Sequence, residues 1–186
     1  MLDERQLLFK AQEGDIESFE NVIASYQNYI YNVIYRIVGN KEDALDLTQE
    51  TFLKAFVNIK KFKGKSEFKT WLYRIAVNTS LDFMRKRKGV EEQLHDISDF
   101  KTPEDIFDDK MTRDIIMSEL NKLKNDYKIA IILRDIEGLT YSEIAEITNS
   151  NIGTVKSRIS RARSALKENL KKIPGFINIF DERRQL

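Results

Sequence analysis

Apolar residues recur at intervals of three and four along most of the chain and nowhere alternate with a period of two, so the pattern predicts an all-helical protein. Phe19, Val22, Ile23, Tyr26, Ile30, Val33, Ile34 and Ile37 read as one face of a single helix, capped by Asp15 and stopped at Gly39. Asn40 is placed to cap the next, which runs through Leu45, Leu47, Phe52, Leu53, Phe56 and Ile59 and ends before Gly64. Ser66 is placed to cap a third, in which Phe68, Trp71, Leu72, Ile75, Thr79 and Phe83 repeat until Gly89. These three make one compact bundle.

After Val90 the apolar rhythm fades. Up to Glu119 there are ten acidic residues against three basic ones, which reads as an acidic, flexible linker. Within it, Thr102 followed by Pro103, Glu104 and Asp105 has the cap, first-turn proline and early acids of a helix start. A second unit then begins, with Leu120, Leu123, Ile129, Ile132, Leu133 and Ile136 as its apolar positions. Thr140 and Glu143 form a capping box before a short helix whose buried side is Ile144, Ala145 and Ile147. A polar turn, Thr148 to Asn151, leads to a longer helix with Val155, Ile159, Ala162 and Leu166 facing inward. Two helices joined by so short a turn, with a small residue where they approach, describe a helix-turn-helix.

Charge changes the picture because it is segregated. The whole chain of 186 residues has a formal net charge of only +1. Yet the segment from Thr154 to Lys172 holds seven basic residues and one acidic, against the acidic linker. On its long helix, Lys156, Ser157, Ser160, Arg161 and Ser164 face away from the apolar stripe, and these are types that read base edges or hold phosphates. Arg158 and Arg163 flank the stripe and suit contacts to a phosphate backbone. From Lys60 to Lys88 there are ten basic residues, two acidic and five aromatic, a mixture suited to unstacked bases of single-stranded nucleic acid. Phe68, Trp71 and Phe83 fall on the apolar stripe and belong to the core, which leaves Phe62, Tyr73 and the loop Lys63 to Glu67 for exposed contacts. Just before, Asp46, Gln49, Glu50 and Leu53 share one helix face, opposite in character, which would repel phosphates and suits a basic protein partner. Cysteine is absent and histidine occurs once, so neither disulfides nor thiolate or histidine-rich metal sites are expected, and no carboxylate cluster is spaced for catalysis. The start MLDERQLLFK is not a signal peptide and no apolar run reaches membrane length, so a cytoplasmic protein without direct membrane insertion is expected.

Three motifs in order, DLTQETFLKAF, FKGKSEFKTWLYRIAVNTSLDFMRKRK and GTVKSRISRAR, with an acidic segment between the last two, resemble the extracytoplasmic-function sigma factors of the bacterial sigma-70 family. The resemblance implies a region 2 helical bundle over 1–89, a linker over 90–118, a region 4 helix-turn-helix over 119–175 and a tail over 176–186. Asp46, Gln49, Glu50 and Leu53 would bind the clamp helices of core RNA polymerase, whose flap would meet the second domain. Phe62, Lys63, Lys65, Ser66, Trp71, Asn78, Asp82 and Arg85 would handle the single-stranded −10 element, the loop from Phe62 to Phe68 capturing a flipped base. Thr154, Lys156, Ser157, Arg158, Ser160, Arg161 and Arg163 would meet the double-stranded −35 element. An anti-sigma factor, often membrane-anchored, would be a further partner, and neither cofactor, metal nor catalytic step is implied. The chain departs from the family's usual pattern at Asp82, where an amide is common, at Lys156, where arginine is common, and in a turn without proline before Gly153. Read from its residues alone, the chain also fits a helix-turn-helix repressor whose N-terminal bundle dimerises or senses a ligand.

Overall fold

A computed structural model describes residues 3–91 and 109–173, and the side chains at 88–91, 109–111 and 113 are not described. The helix start at Thr102, most of the expected linker and the tail lie outside these residues. The described residues form nine α-helices and no strand. They are α1 (Glu4–Glu13), α2 (Ile16–Ala24), α3 (Gln27–Val38), α4 (Lys41–Asn58), α5 (Phe68–Glu91), α6 (Asp109–Asn121), α7 (Asn125–Ile131), α8 (Tyr141–Ile147) and α9 (Ile152–Lys171). A 3₁₀ turn over Ile59–Lys61 follows α4, and a π-helical turn over Ile132–Ile136 follows α7.

The first expected helix is in fact two. Ser25 and Tyr26 interrupt it: the Ser25 hydroxyl donates to the Val22 carbonyl and competes with the helical ladder. Helix α1 carries a full capping box, with Asp3 accepting from the Gln6 backbone N–H and the Gln6 side chain accepting from that of Asp3. Asn40 caps α4 through the backbone N–H groups of Glu42 and Asp43. Ser66 is not the cap of α5: the Glu67 carbonyl takes the first helical hydrogen bond, from Trp71, and the helix begins at Phe68. Nor does Gly89 stop α5, because glycine weakens a helix without forcing its end.

Helices α2 to α5 bury Ile30, Val33, Ile34, Ile37, Leu72, Ala76 and Val77 almost completely, with each large side chain stabilising by about 1.5–3 kcal/mol. This core does not end at the first unit. It continues through Ile132, Leu133, Ile144, Val155 and Ile159 of the second, because α5 packs on α8 and α3 on the π-helical turn. A smaller cluster of Leu120, Leu123, Ile131 and Ala162 seats α6 against α9.

The π-helical turn was invisible in the apolar spacing. There Glu137 N–H reaches back to the Ile132 carbonyl and Leu139 N–H to that of Leu133, adding a residue to the turn. Ile136, expected inside, is thereby exposed, and Glu137 points into the seam between the units. Its carboxylate accepts from the Arg36 guanidinium at 2.5 Å and from the Tyr73 hydroxyl at 2.8 Å. Lys128, almost fully buried, donates to the Ile37 carbonyl at the end of α3 and to Asn121.

Candidate nucleic-acid and protein-binding surfaces

Helix α4 keeps its acidic, amide-bearing face outward. Asp46, Gln49 and Glu50 are exposed, and Leu53 is 67% exposed with Val57 one turn further at 76%. The other side of the helix is anchored by Ala44, Leu47, Thr51 and Ala55, with Phe56 edge-on to Phe19. An exposed leucine and valine next to carboxylates and an amide suit a protein partner that brings apolar contact and positive charge. Lys54 pairs with Glu50 at 2.7 Å and also reaches Thr79 of α5, while Arg87 of α5 pairs with Asp43, so charge ties the two helices along this side.

The basic and aromatic segment is divided differently from expectation. Tyr73, expected to be exposed, is 0% exposed and donates to Glu137 in the seam, so it is unavailable for stacking on bases. Burial first, and then the hydrogen bond to Glu137, push its hydroxyl pKa well above the ordinary range. Phe62 is half-buried, with ring centroids 5.5 Å from Phe68 and 5.4 Å from the buried Trp71. Phe68 is in turn 5.6 Å from both Tyr26 and Trp71, so these four rings form one box at the base of the loop. The apolar spacing puts Phe68 and Trp71 in the core; Phe62 joins them through ring contacts that spacing does not show. What remains outward is the loop itself, with Lys63 and Lys65 exposed and Ser66 half-exposed, together with Asn78, Asp82 and Arg85 along one face of α5. Asp82 and Arg85 pair at 3.2 Å on the surface, a contact worth less than about 1 kcal/mol.

The helix-turn-helix is built as its sequence predicts. Thr140 accepts from the Glu143 N–H, and the Glu143 carboxylate accepts from both the hydroxyl and the N–H of Thr140, which together lower its pKa. Asn149 takes the left-handed conformation at φ 47° that the turn requires. Asn151 caps α9 by accepting from Thr154, and a side chain at Gly153 would crowd that cap oxygen at 3.3 Å. Val155, Ile159 and Ala162 are buried, Leu166 only partly so, and Lys156, Ser157, Ser160, Arg161 and Ser164 are exposed. Thr154 is half-exposed at the start of the helix. The two flanking arginines are less free than the sequence implied. Arg158 donates to Ser150 and pairs with Asp126 at 2.7 Å, and Arg163 grips Asp135 with two nitrogens, at 2.9 and 2.5 Å. A phosphate approaching either one competes with a carboxylate already in place.

Sequence reading missed α1 and its capping box, although Asp3 and Gln6 before Leu7, Leu8 and Ala11 carried the signal. It missed also that Lys69 lies over two rings, 5.3 Å from the Tyr29 centroid and 5.6 Å from that of Tyr73. Among the described residues no cluster of potential metal ligands occurs, and no helix is long and apolar enough to cross a membrane.

Comparison with known proteins returns two families in chain order: residues 22–90 match Sigma-70 region 2, and residues 113–166 match Sigma-70, region 4. The ECF RNA polymerase sigma factor SigW of Bacillus subtilis is 35% identical over 175 residues, covering 87% of this chain and 94% of the relative. The ECF RNA polymerase sigma-E factor of Haemophilus influenzae is 36% identical over 182 residues, covering 91% and 96% respectively. Among solved structures, the sigma factor RpoE of Bartonella quintana, in complex with the anti-sigma factor NepR, superposes with a TM-score of 0.71 at 29% identity, over 84% of this chain and 99% of that one. CnrH, in complex with the cytosolic domain of CnrY, shares the fold with a TM-score of 0.69 at 24% identity, over 90% and 97%.

Proposed function

As this chain belongs to the extracytoplasmic-function sigma factors of the sigma-70 family, alternative sigma factors that bind core RNA polymerase and direct promoter-specific transcription initiation, we propose which of its surfaces does which part of that work. The outward face of α4, Asp46, Gln49, Glu50 and Leu53, binds the polymerase clamp. The loop Lys63 to Glu67, with Asn78, Asp82 and Arg85, receives the −10 strand. Unstacking a base costs a few kcal/mol, and hydrogen bonds and phosphate contacts from this basic loop offset it. Phe62 and Trp71, in the ring box beneath, form the floor of the loop. Lys156, Ser157, Ser160 and Arg161, with Thr154 at the helix start, read the −35 major groove, and Arg158 and Arg163 position the helix on the phosphates.

The observation that carries this assignment is the separation of the surfaces by charge: one acidic, partly apolar face on α4, and basic faces on the loop and on α9. The chain acts by binding, with no catalytic step of its own, in the cytoplasm where polymerase works. An anti-sigma factor is its regulator in this reading, and the match to a sigma factor held by one supports that.

The packed arrangement sets a condition on the mechanism. Elements at −35 and −10 are about 25 base pairs apart by position and so lie roughly 85 Å apart along B-DNA, whereas a packed chain of this size is about 40 Å across. The two units therefore part at the Glu137 seam when both elements are engaged. Run-off transcription by core polymerase on a randomised promoter library tests the whole assignment. Protein-dependent transcripts sharing two spaced elements support it, provided Asp46→Ala with Gln49→Ala removes transcription and leaves the helix content intact. Tight binding to a palindromic duplex without polymerase, and no added transcription, would instead leave a repressor.

A further inference from the structure

We propose that helix α1 is a brace for the −10 capture loop and that Gln12 is the positioning residue through which it acts. The inference rests on the loop assignment made above, and its geometry is independent of that assignment. Gln12 lies in the last turn of α1, half-buried, and its side-chain amide donates to two backbone carbonyls some fifty residues away: Phe62 at 2.6 Å and Ile59 at 3.3 Å. Phe62 is where the helical path of α4 ends, its N–H turning back to the Ile59 carbonyl at 3.0 Å. Its carbonyl is the last main-chain group before the loop, so the amide fixes the direction in which the chain leaves the helix.

The same helix reaches the other foot of the loop. Glu4, in the first turn of α1, accepts from the Tyr26 hydroxyl at 2.6 Å, and Tyr26 packs its ring against Phe68, the first residue of α5. Burial and the Glu4 bond together raise the Tyr26 pKa, so the hydroxyl stays protonated and able to donate at any ordinary pH. Phe62 and Phe68 meet edge to face and close the base. Between the two feet Gly64 adopts φ 65°, and a side chain there would meet nothing within 4 Å, so glycine is required by the backbone and not by crowding. A loop of that kind takes its shape from its feet. A pocket for one flipped base works only when its walls are held to about half an ångström, and α1 reaches one foot directly through Gln12 and the other through Tyr26.

The test compares promoters that differ only in the captured −10 base, transcribed by core polymerase with the full chain. Gln12→Leu keeps the side-chain volume and removes the donors; discrimination between the preferred and a disfavoured base is expected to fall about fivefold to tenfold, as the loss of one good hydrogen bond predicts. Binding to core polymerase is expected to hold within about twofold. Gln12→Lys, which retains a donor, is expected to restore most of the discrimination. Tyr26→Phe, which removes only the hydroxyl at the other foot, gives an independent reading should Gln12→Leu fail to fold. An equal loss of transcription on every template, in step with a lowered melting temperature, would overturn the brace and leave Gln12 a plain packing residue. A loop variant, Lys65→Ala with Ser66→Ala, separates this from the underlying assignment. If it abolishes discrimination while Gln12→Leu and Tyr26→Phe do not, the brace is wrong and the loop assignment stands; if it leaves discrimination untouched, the loop assignment is wrong and the brace falls with it.

Discussion

The interior of the first unit and the seam between the units share one apolar core, and they differ in the polar groups buried beside it. Among the described side chains of α2 to α5, the buried polar ones outside the seam are serines and threonines. Thr48 and Ser80 return their hydroxyls to the carbonyl four residues earlier, at 2.6 and 2.9 Å, and Thr51 keeps an unpartnered one. The seam instead carries Glu137 between Arg36 and Tyr73, and Lys128 against the end of α3. An apolar interior holds its parts permanently, since opening it exposes hydrocarbon. The seam shares that apolar core through Ile132, Leu133 and Ile144, but the buried charge it adds regains water when the units part, which offsets part of the cost of the hydrocarbon then exposed. That difference is what a protein needs if its two readers pack together alone and separate on a promoter.

The largest loss is expected from the apolar side. Ile34→Ala, at a fully buried position, is expected to cost about 4 kcal/mol in urea unfolding, with helix content and transcription lost together. Next comes pH. Burial lowers the Lys128 pKa from its ordinary value to about 8, so between pH 8 and about 10.5 the unfolded chain holds a proton that the folded chain has released. Folded stability therefore rises across that window, by on the order of 3 kcal/mol if the whole shift is expressed. Melting curves from pH 7 to 10 check the sign, and Lys128→Met is expected to flatten the rise. Above pH 10 the tyrosines act oppositely: Tyr26 and Tyr73 resist ionisation in the fold, and stability falls again.

Glu137→Ala strips the Tyr73 hydroxyl and the Arg36 guanidinium of their acceptor and is expected to weaken the seam by about 2 kcal/mol. Unlike Ile34→Ala, it should leave the helices of each unit intact; small-angle scattering would show an extended chain at unchanged circular dichroism. The smallest expected effect is local to α9. Asn151→Ala removes the cap of α9 at a cost of about 1 kcal/mol, seen as weaker −35 duplex binding with the seam and the −10 step untouched.

Much of this was legible in the chain. The helix-turn-helix was, because a capping box at Thr140, a polar turn and an inward stripe are all local signals that packing did not override. The outward face of α4 was legible for the same reason. The seam was not. Tyr73 belongs to the same basic-aromatic segment as Phe62, but it is buried in the core that both units share, where the π-helical turn brings Glu137 to its hydroxyl. The break at Ser25 was hidden too, since Val22, Tyr26 and Ile30 keep helical spacing across a junction that one hydroxyl disrupts. Pairings across many residues, such as Arg158 with Asp126 or Gln12 with Phe62, leave no trace in spacing at all.

The central claim is that the two units pack at the Glu137 seam alone and part on the promoter. Spin labels at the exposed positions Asn32 on α3 and Glu146 on α8, read by pulsed dipolar spectroscopy, test it directly. The account predicts one short distance for the free chain and a distance longer by tens of ångströms once core polymerase and a two-element promoter are added. The same short distance in the transcribing complex would contradict it.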